Sequence, residues 1–195
     1  MIYSIGKYPV HLIDVVHVSK GRRVTIRPTL PQDTELQRAF FRSLSAESRH
    51  RRFMTRLSEL PETLAERFTN IDYRAHVALL AEVFDENGHE TMIGEARYVV
   101  EERDPTTCEF AIAVADAWQA SGIAQALLER LERQAAASGI RRMVADTLIT
   151  NRAMQRLAAR AGYTIKACRE DAGLARLEKT LGGPVGAPST RPQAA

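Results

Sequence analysis

The stretch CEFAIAVADAWQASGIAQALLERL, Cys108 to Leu131, constrains the fold more than any other part of the chain. An apolar run ends at Val114. A few residues later Ile123, Leu127, Leu128, Leu131 and Ala135 recur at helical spacing. A chain that leaves a strand and enters a helix so quickly needs a tight turn, here Gln119-Ala120-Ser121-Gly122-Ile123-Ala124. The first N–H groups of a helix have no intrahelical acceptor, and the helix dipole adds partial positive charge there. A turn that presents those groups can hold a phosphate. Gly122 allows close approach of a ligand, and Ala124 keeps the next position small. Many strand–helix turns carry glycine for packing alone, so on shape both readings stand.

The strand before the turn adds information. Side chains alternate across a strand, so Phe110, Ile112 and Val114 share one face, and Glu109, Ala111 and Ala113 the other. The first face is expected to be core, with Cys108 on the same side. The second is small and carries one carboxylate. Small residues beside a phosphate-binding turn leave room for a long, thin ligand against the sheet. A carboxylate on a central strand among apolar residues should have a raised pKa, which suits a general base. Glu109 is therefore a candidate base; the competing reading puts it on the surface or against an arginine.

The rest of the chain supplies the frame. Val10–Val18 and RRVTIRP, joined by Ser19-Lys20-Gly21, form an expected hairpin. Pro31-Gln32-Asp33 opens a helical pattern through Leu36, Phe40, Phe41 and Leu44. Ser45 is an expected N-cap for AESRHRRFM, and Pro61 an expected first helical position. HVALLAEVFD and TMIGEARYVVE pair around Glu86-Asn87-Gly88. Ser138-Gly139 ends the long helix, RRMVADTL is a strand, Asn151–Ala161 a short helix, and YTIKACR with ARLEKTL a last hairpin. The expected class is α+β: one mixed, mainly antiparallel central sheet with helices on both faces. Residues 1–181 are expected to form one domain, with the hairpin inside 1–28. Residues 182–195, rich in Gly, Pro and Ala, are expected to be a disordered tail.

Composition excludes several classes. A net charge of +3 does not call for a nucleic-acid partner, and no run approaches the roughly 18 apolar residues of a membrane span. Two isolated cysteines, Cys108 and Cys168, make no disulfide framework, which suggests a reducing cytoplasm. The five histidines have no metal spacing, and no metal is expected. Arg42, Arg49, His50, Arg51, Arg52 and Arg56 crowd one region. They could attract phosphate or the acidic surface of a partner protein, or be only a solvated helix face.

At these residues the chain resembles a known family. Gln119-x-x-Gly122-x-Ala124 after Ala-Ile-Ala-Val is similar to the acyl-CoA-binding motif of the GNAT superfamily of N-acetyltransferases. TLITNRAMQRLAARAGYTI resembles that family's second motif, matching it at Asn151, Gly162 and Tyr163. YPVHLIDVVHVSKGRRVTIRPTLPQD, FFRSLSAESRHRRF and NIDYRAHVALLAE resemble the acetyltransferase domain of Pat-type protein lysine acetyltransferases. In that group the domain is often fused to another; a stand-alone version is expected here. Ile93-Gly94-Glu95-Ala96-Arg97-Tyr98 departs from the group's pattern by placing an extra carboxylate, Glu95, near the middle of the sheet.

The resemblance implies a set of roles. Gln119, Ala120, Ser121, Gly122, Ile123 and Ala124 would cradle the pyrophosphate of acetyl-CoA through backbone N–H groups. Ile112, Ala113 and Val114 would bond to the pantetheine arm, with the Val114 N–H polarising the thioester carbonyl. Asn151 would bond to the arm, cap its helix, or both. Glu109 matches the group's catalytic glutamate. Asp72 and Tyr73 match a shared pair that would sit at the acceptor entrance or else hold a turn. A tyrosine that many members use to protonate the leaving thiolate is replaced by Ala158, and Tyr163 is expected to pack. The implied activity is acetyl transfer from acetyl-CoA to a protein lysine, with an acyl-CoA synthetase among the candidate acceptors. A small-amine acetyltransferase and a non-catalytic CoA-binding module are the alternatives.

Overall fold

Along Arg22–Pro28, Val24 and Ile26 are buried while Arg23 is exposed and Thr25 and Arg27 half-buried. That alternation makes a strand with one core face. The computed structural model describes residues 8–168 and 171–182. Its strands are β1 (Asp14–Val18), β2 (Arg22–Pro28), β3 (His76–Phe84), β4 (Glu90–Glu101), β5 (Asp104–Val114), β6 (Arg142–Leu148), β7 (Thr164–Ala167) and β8 (Leu174–Thr180). Its α-helices are α1 (Thr34–Ser43), α2 (Ala46–Phe53), α3 (Glu62–Thr69), α4 (Ile123–Ala137) and α5 (Arg152–Arg160). The strands form one eight-stranded sheet in the order β1-β2-β3-β4-β5-β6-β8-β7. Among its neighbouring pairs only β5 and β6 run parallel, joined by the α4 crossover.

This is the mixed, mainly antiparallel sheet expected from the patterning, with helices on both faces. On one face Leu127, Leu128 and Leu131 of α4 and Ala158 of α5 pack with Tyr98, Phe110, Tyr163 and Leu177. On the other, Phe40 and Leu44 pack on Leu80 and Met92, and α3 closes over α1 through Ala65 and Phe41. Gly94 lets α4 lie close: a Cβ there would meet Ala113 O, Ile123 and Leu127 at 3.3 Å each.

Several element ends differ from expectation: β5 begins at Asp104 rather than at Cys108. The first strand begins at Asp14, because Val10–Leu12 wind into a 3-10 turn in which Leu12 N–H donates to Pro9 O at 2.9 Å. Pro61 is the extended N-cap of α3, with its fixed φ of −57° one step outside the helix. Ser45 caps α2 as expected, its Oγ accepting from Ser48 N at 3.1 Å. Of the expected tail, residues 183–195 lie outside the described residues.

One ion cluster ties β2, β3, β4 and the start of α1. Arg27 donates to Asp33 Oδ2 at 2.7 Å, to Glu82 Oε2 at 2.9 Å and to Glu90. Asp33 and Glu82 are buried. One guanidinium faces three carboxylates, so one of them gains by staying protonated. Burial first, and then the adjacent Glu90, push the Glu82 carboxyl up to about 8. Its unfolded pKa is near the ordinary ~4.3, so between those values the folded state binds more protons and stability falls as pH rises. Glu82→Gln, a permanently neutral stand-in, should lack this slope. Urea unfolding of both forms at pH 5, 6.5 and 8 checks it. The wild-type advantage over the variant should shrink across the window, by at most about 1.4 kcal/mol per pH unit. A constant difference would contradict the assignment.

Candidate active site

The site is made by a missing pairing. β5 and β6 bond only at Thr107↔Arg142, Cys108↔Met143 and Glu109↔Val144. Beyond that row β5 stays with β4 as far as Val114, while β6 stays with β8 as far as Leu148. The strands part and leave a cleft. Which backbone groups face it follows from alternation. Ala115 N–H donates to Ile93 O of β4 at 2.9 Å, and Thr106 O accepts from Arg141 N on the β6 side at 2.7 Å. Even-numbered residues of β5 therefore turn their N–H and C=O toward β6. Ile112 and Val114 present theirs to the open cleft. The Ala113 peptide groups face β4, so Ala113 borders the cleft with its side chain rather than with the backbone bonds implied for it.

The turn completes the upper end. Ala120, with φ 57°, and Gly122, with φ 97°, take left-handed conformations. A Cβ added at Gly122 would meet nothing within 4 Å, so it would project into open space. No side chain caps α4, and the amides of Gly122, Ile123, Ala124 and Gln125 have no acceptor among the described residues. Two clasps fix the turn. Ser19 donates to Ser121 O through both N and Oγ, each at 3.1 Å. Asp116 accepts from Ser45 N and Oγ, both at 2.9 Å, and from Ser48 Oγ at 2.8 Å. Burial works against the Asp116 charge, and these bonds outweigh it, holding the carboxyl below its ordinary range.

The cleft has a volume of about 640 Å³. Its walls include Ile112, Ala113, Val114, Gln119, Ala120, Ser121, Gly122, Ile123, Ala124 and Asn151, the residues that the motifs singled out. Gln119 Nε2 donates to Ser48 Oγ at 3.2 Å and to Val114 O at 3.3 Å. Asn151 is buried; its Oδ1 accepts from Met154 N at 3.2 Å, capping α5, and its Nδ2 donates to Thr147 Oγ1 at 3.2 Å. Four arginines that the motifs did not place here, Arg51, Arg52, Arg156 and Arg160, also line the cleft, and among the described residues no Asp or Glu does. A long cleft with free amides at one end and arginines on both walls suits an extended, polyanionic ligand. Arg156 and Arg160 are four apart on α5, a spacing visible in the sequence. For Arg51 and Arg52 no sequence signal existed beyond the basic run.

That run is not one docking patch. Arg49 donates to Leu44 O at 3.0 Å and Ser58 O at 2.9 Å. Arg51 pairs with Glu47, and Arg52 Nε with Glu95 Oε1 at 3.1 Å. Successive helical residues point in different directions, so neighbours in sequence serve different neighbours in space.

The carboxylates separate clearly. Glu109 is exposed, so the burial expected to favour it as a base is absent. It sits at the last row where β5 and β6 still pair, next to exposed Val99 on β4, and it is not part of the cleft wall. Glu95 is buried and bonded by Arg52, Arg97 and Gln37. Burial would raise its pKa, but Arg97 and Arg52 outweigh that and hold it below the ordinary value. Glu95 is thus an anchor and a poor base.

Asp72 and Tyr73 lie apart from the cleft. The Asp72 carboxylate accepts from Arg74 N and His76 N, both at 2.8 Å. Tyr73 Oη donates to Thr29 O at 2.7 Å, and its ring meets Tyr8 edge-on at 5.9 Å. All of these bonds hold the turn into β3. Ala158 and Tyr163 are core, the tyrosine ring 5.2 Å from Phe110. Burial pushes the Tyr163 hydroxyl well up and the Cys108 thiol up to about 12.

Comparison with known proteins agrees with this geometry. The profile of the acetyltransferase (GNAT) family matches residues 38–163. An acetyltransferase of Pseudomonas aeruginosa is 34% identical over 151 residues, 76% of this chain and 79% of that protein. The acetyltransferase Pat of Mycolicibacterium smegmatis is 31% identical over 163 residues, 84% of this chain. The match spans about half of Pat, 47% of its length. The crystal structure of the GNAT domain of S. lividans PAT superposes with a TM-score of 0.82 at 32% identity, covering 90% of this chain and 100% of that one.

The cleft predicts a binding response. Coenzyme A at about 100 times its Kd should stabilise the fold by about 2.7 kcal/mol, or roughly 5–10 °C in Tm for a domain of this size. Gly122→Glu should remove that rise by placing bulk and like charge in the space before α4. The readout is each variant's own Tm with and without coenzyme A. An undiminished rise would place the phosphates elsewhere.

Proposed function

Since the chain belongs to the acetyltransferase (GNAT) family, we propose that it acetylates lysine amines of proteins, with Glu109 taking the proton. It is an N-acetyltransferase, and acetyl-CoA is its co-substrate. The observation that carries the acceptor reading is the exposure of Glu109 at the fork of β5 and β6, beside exposed Val99. A base in such an open position can be reached by a side chain projecting from another folded protein. The Pat-type resemblance supports the same acceptor, an acyl-CoA synthetase being one candidate, and the two unpaired cysteines fit a cytoplasmic setting. Asp72 and Tyr73 would shape the acceptor side only through the turn they hold.

A lysine amine with pKa near 10.4 is neutral on the order of 0.04% at pH 7. Attack therefore needs a base. In this reading the amine nitrogen bonds to the thioester carbon, the carbon–sulfur bond breaks, and Glu109 accepts the amine proton directly or through a water. Strand rise restricts where the carbonyl lies. At about 3.4 Å per residue, Val114 is roughly 17 Å along β5 from Glu109, and Ile112 roughly 10 Å. Only the nearer amide leaves a gap that one amine and one water can bridge. The carbonyl-polarising role therefore moves from Val114 to the Ile112 N–H, and Val114 holds the arm further up. With Ala158 buried and Tyr163 in the core, the CoA thiolate leaves without a tyrosine acid.

Glu109→Gln should lower kcat by roughly 10²–10⁴-fold, the usual share of general base catalysis, while acetyl-CoA affinity changes little. Raising the pH should partly rescue the variant, because more amine is then neutral. The check is a pH–rate profile of both forms on a lysine peptide. A near-wild-type rate for Glu109→Gln at pH 7 would remove Glu109 from the chemistry.

A further inference from the structure

One of the arginines in the cleft wall is held in a fixed orientation. The Arg52 side chain, near the end of α2, is nine-tenths buried, at 10% exposure. Its Nε donates to Glu95 Oε1 at 3.1 Å. Glu95 is itself fixed, its Oε2 accepting from Gln37 Nε2 at 2.8 Å and from Arg97. The guanidinium carbon lies 4.9 Å from the ring centre of Phe53 and 5.4 Å from that of Phe68. One edge of the guanidinium is therefore pinned and its orientation set. The two terminal nitrogens have no acceptor among the described residues, although together they carry four N–H donors. The charge is also unbalanced. Arg52 and Arg97 share one carboxylate, Glu95, and His76, which contacts Arg97, is pushed down to about 4 by burial and then by Arg97. Among the described residues no carboxylate lines the cleft to take up the excess.

Position narrows what could fill this gap. Arg52 forms the cleft wall together with Ile112 and Ala113, and its anchor Glu95 pairs with Ala113 across the sheet. The anion-binding turn begins several residues further on, at Gln119, and Arg156 and Arg160 stand on α5. A fixed guanidinium with one free edge matches a carboxylate in a two-bond fork. We propose that Arg52 forms a carboxylate subsite beside the transfer point. The carboxylate is carried either by the acyl group, as in a dicarboxylic acyl thioester, or by the acceptor next to its amine. This rests on the acyl-transfer reading above and leaves its chemistry unchanged, since the carboxylate is held and takes no part in bond exchange.

The test uses the full chain as wild type, Arg52→Gln and Arg52→Lys. The glutamine removes charge and fork while Glu95 keeps Arg97 and Gln37; the lysine keeps charge without the fork. One arm compares kcat/KM for acetyl-CoA and succinyl-CoA on one lysine peptide. The other compares acetyl-CoA transfer to peptides with Glu or Gln beside the lysine. In wild type one arm should favour the carboxylate-bearing member by tenfold or more. Arg52→Gln should reduce that preference at least tenfold, and Arg52→Lys should restore it only in part. No preference in either arm, or a preference that survives in Arg52→Gln, overturns the subsite. So does an equal fall in all rates and in coenzyme A affinity, which would assign Arg52 to the phosphates. If no peptide is acetylated, the acceptor reading fails separately, and calorimetry decides the subsite. Tighter binding of succinyl-CoA than acetyl-CoA in wild type and not in Arg52→Gln supports it; equal ratios overturn it.

Discussion

The cleft depends on β5 and β6 parting after the Glu109↔Val144 row. Each strand is held on its other side, β5 by β4 up to Val114 and β6 by β8 up to Leu148, so neither can follow the other. The parting leaves peptide groups at Ile112 and Val114 without strand partners. An unpaired strand edge is a liability in most sheets. Here it offers a surface to which an extended ligand can bond as an added strand would. The same parting brings the starts of α4 and α5 to the mouth of the cleft, where Gly122 and Asn151 stand. The clasps from Ser19 and Asp116 keep the turn open across long sequence separations.

Charge is sorted on either side of this opening. Among the described residues the walls carry four arginines and no carboxylate, while Glu109 lies outside them at the fork. The one carboxylate close behind the wall, Glu95, is held ionised by two arginines and cannot compete as a base. In the proposed reaction donor binding and proton acceptance would occupy separate places, which would keep the base away from the anionic arm of the donor.

Much of this was legible in the sequence. The order of strands and helices followed from alternation and helical spacing, because nearly every element buries one face: Val24 and Ile26 on β2, or Leu127, Leu128 and Leu131 on α4. The turn from Gln119 to Ala124 was legible because glycine and short residues between a strand and a helix have few other uses. Register and partnership were not legible. Which strand leaves β5 at Glu109, and therefore that Glu109 is exposed, depends on pairings distant in sequence. The arginines near α2 read as one patch because a string does not show that Arg49, Arg51 and Arg52 point to Ser58, Glu47 and Glu95 respectively. Asp116, which fastens α2 to the turn, looks in the sequence like any polar loop residue.

If the edge of β5 left open by β6 receives the acetyl-CoA arm, residue-resolved amide hydrogen exchange with and without coenzyme A will show it. Ala111 and Ala113, bonded toward β4, should be protected in both states. Ile112, Val114 and the first amides of α4 should exchange readily in the free protein and become protected on binding. Protection that rises at Ala111 and Ala113 instead, or does not change at Ile112 and Val114, would contradict the account.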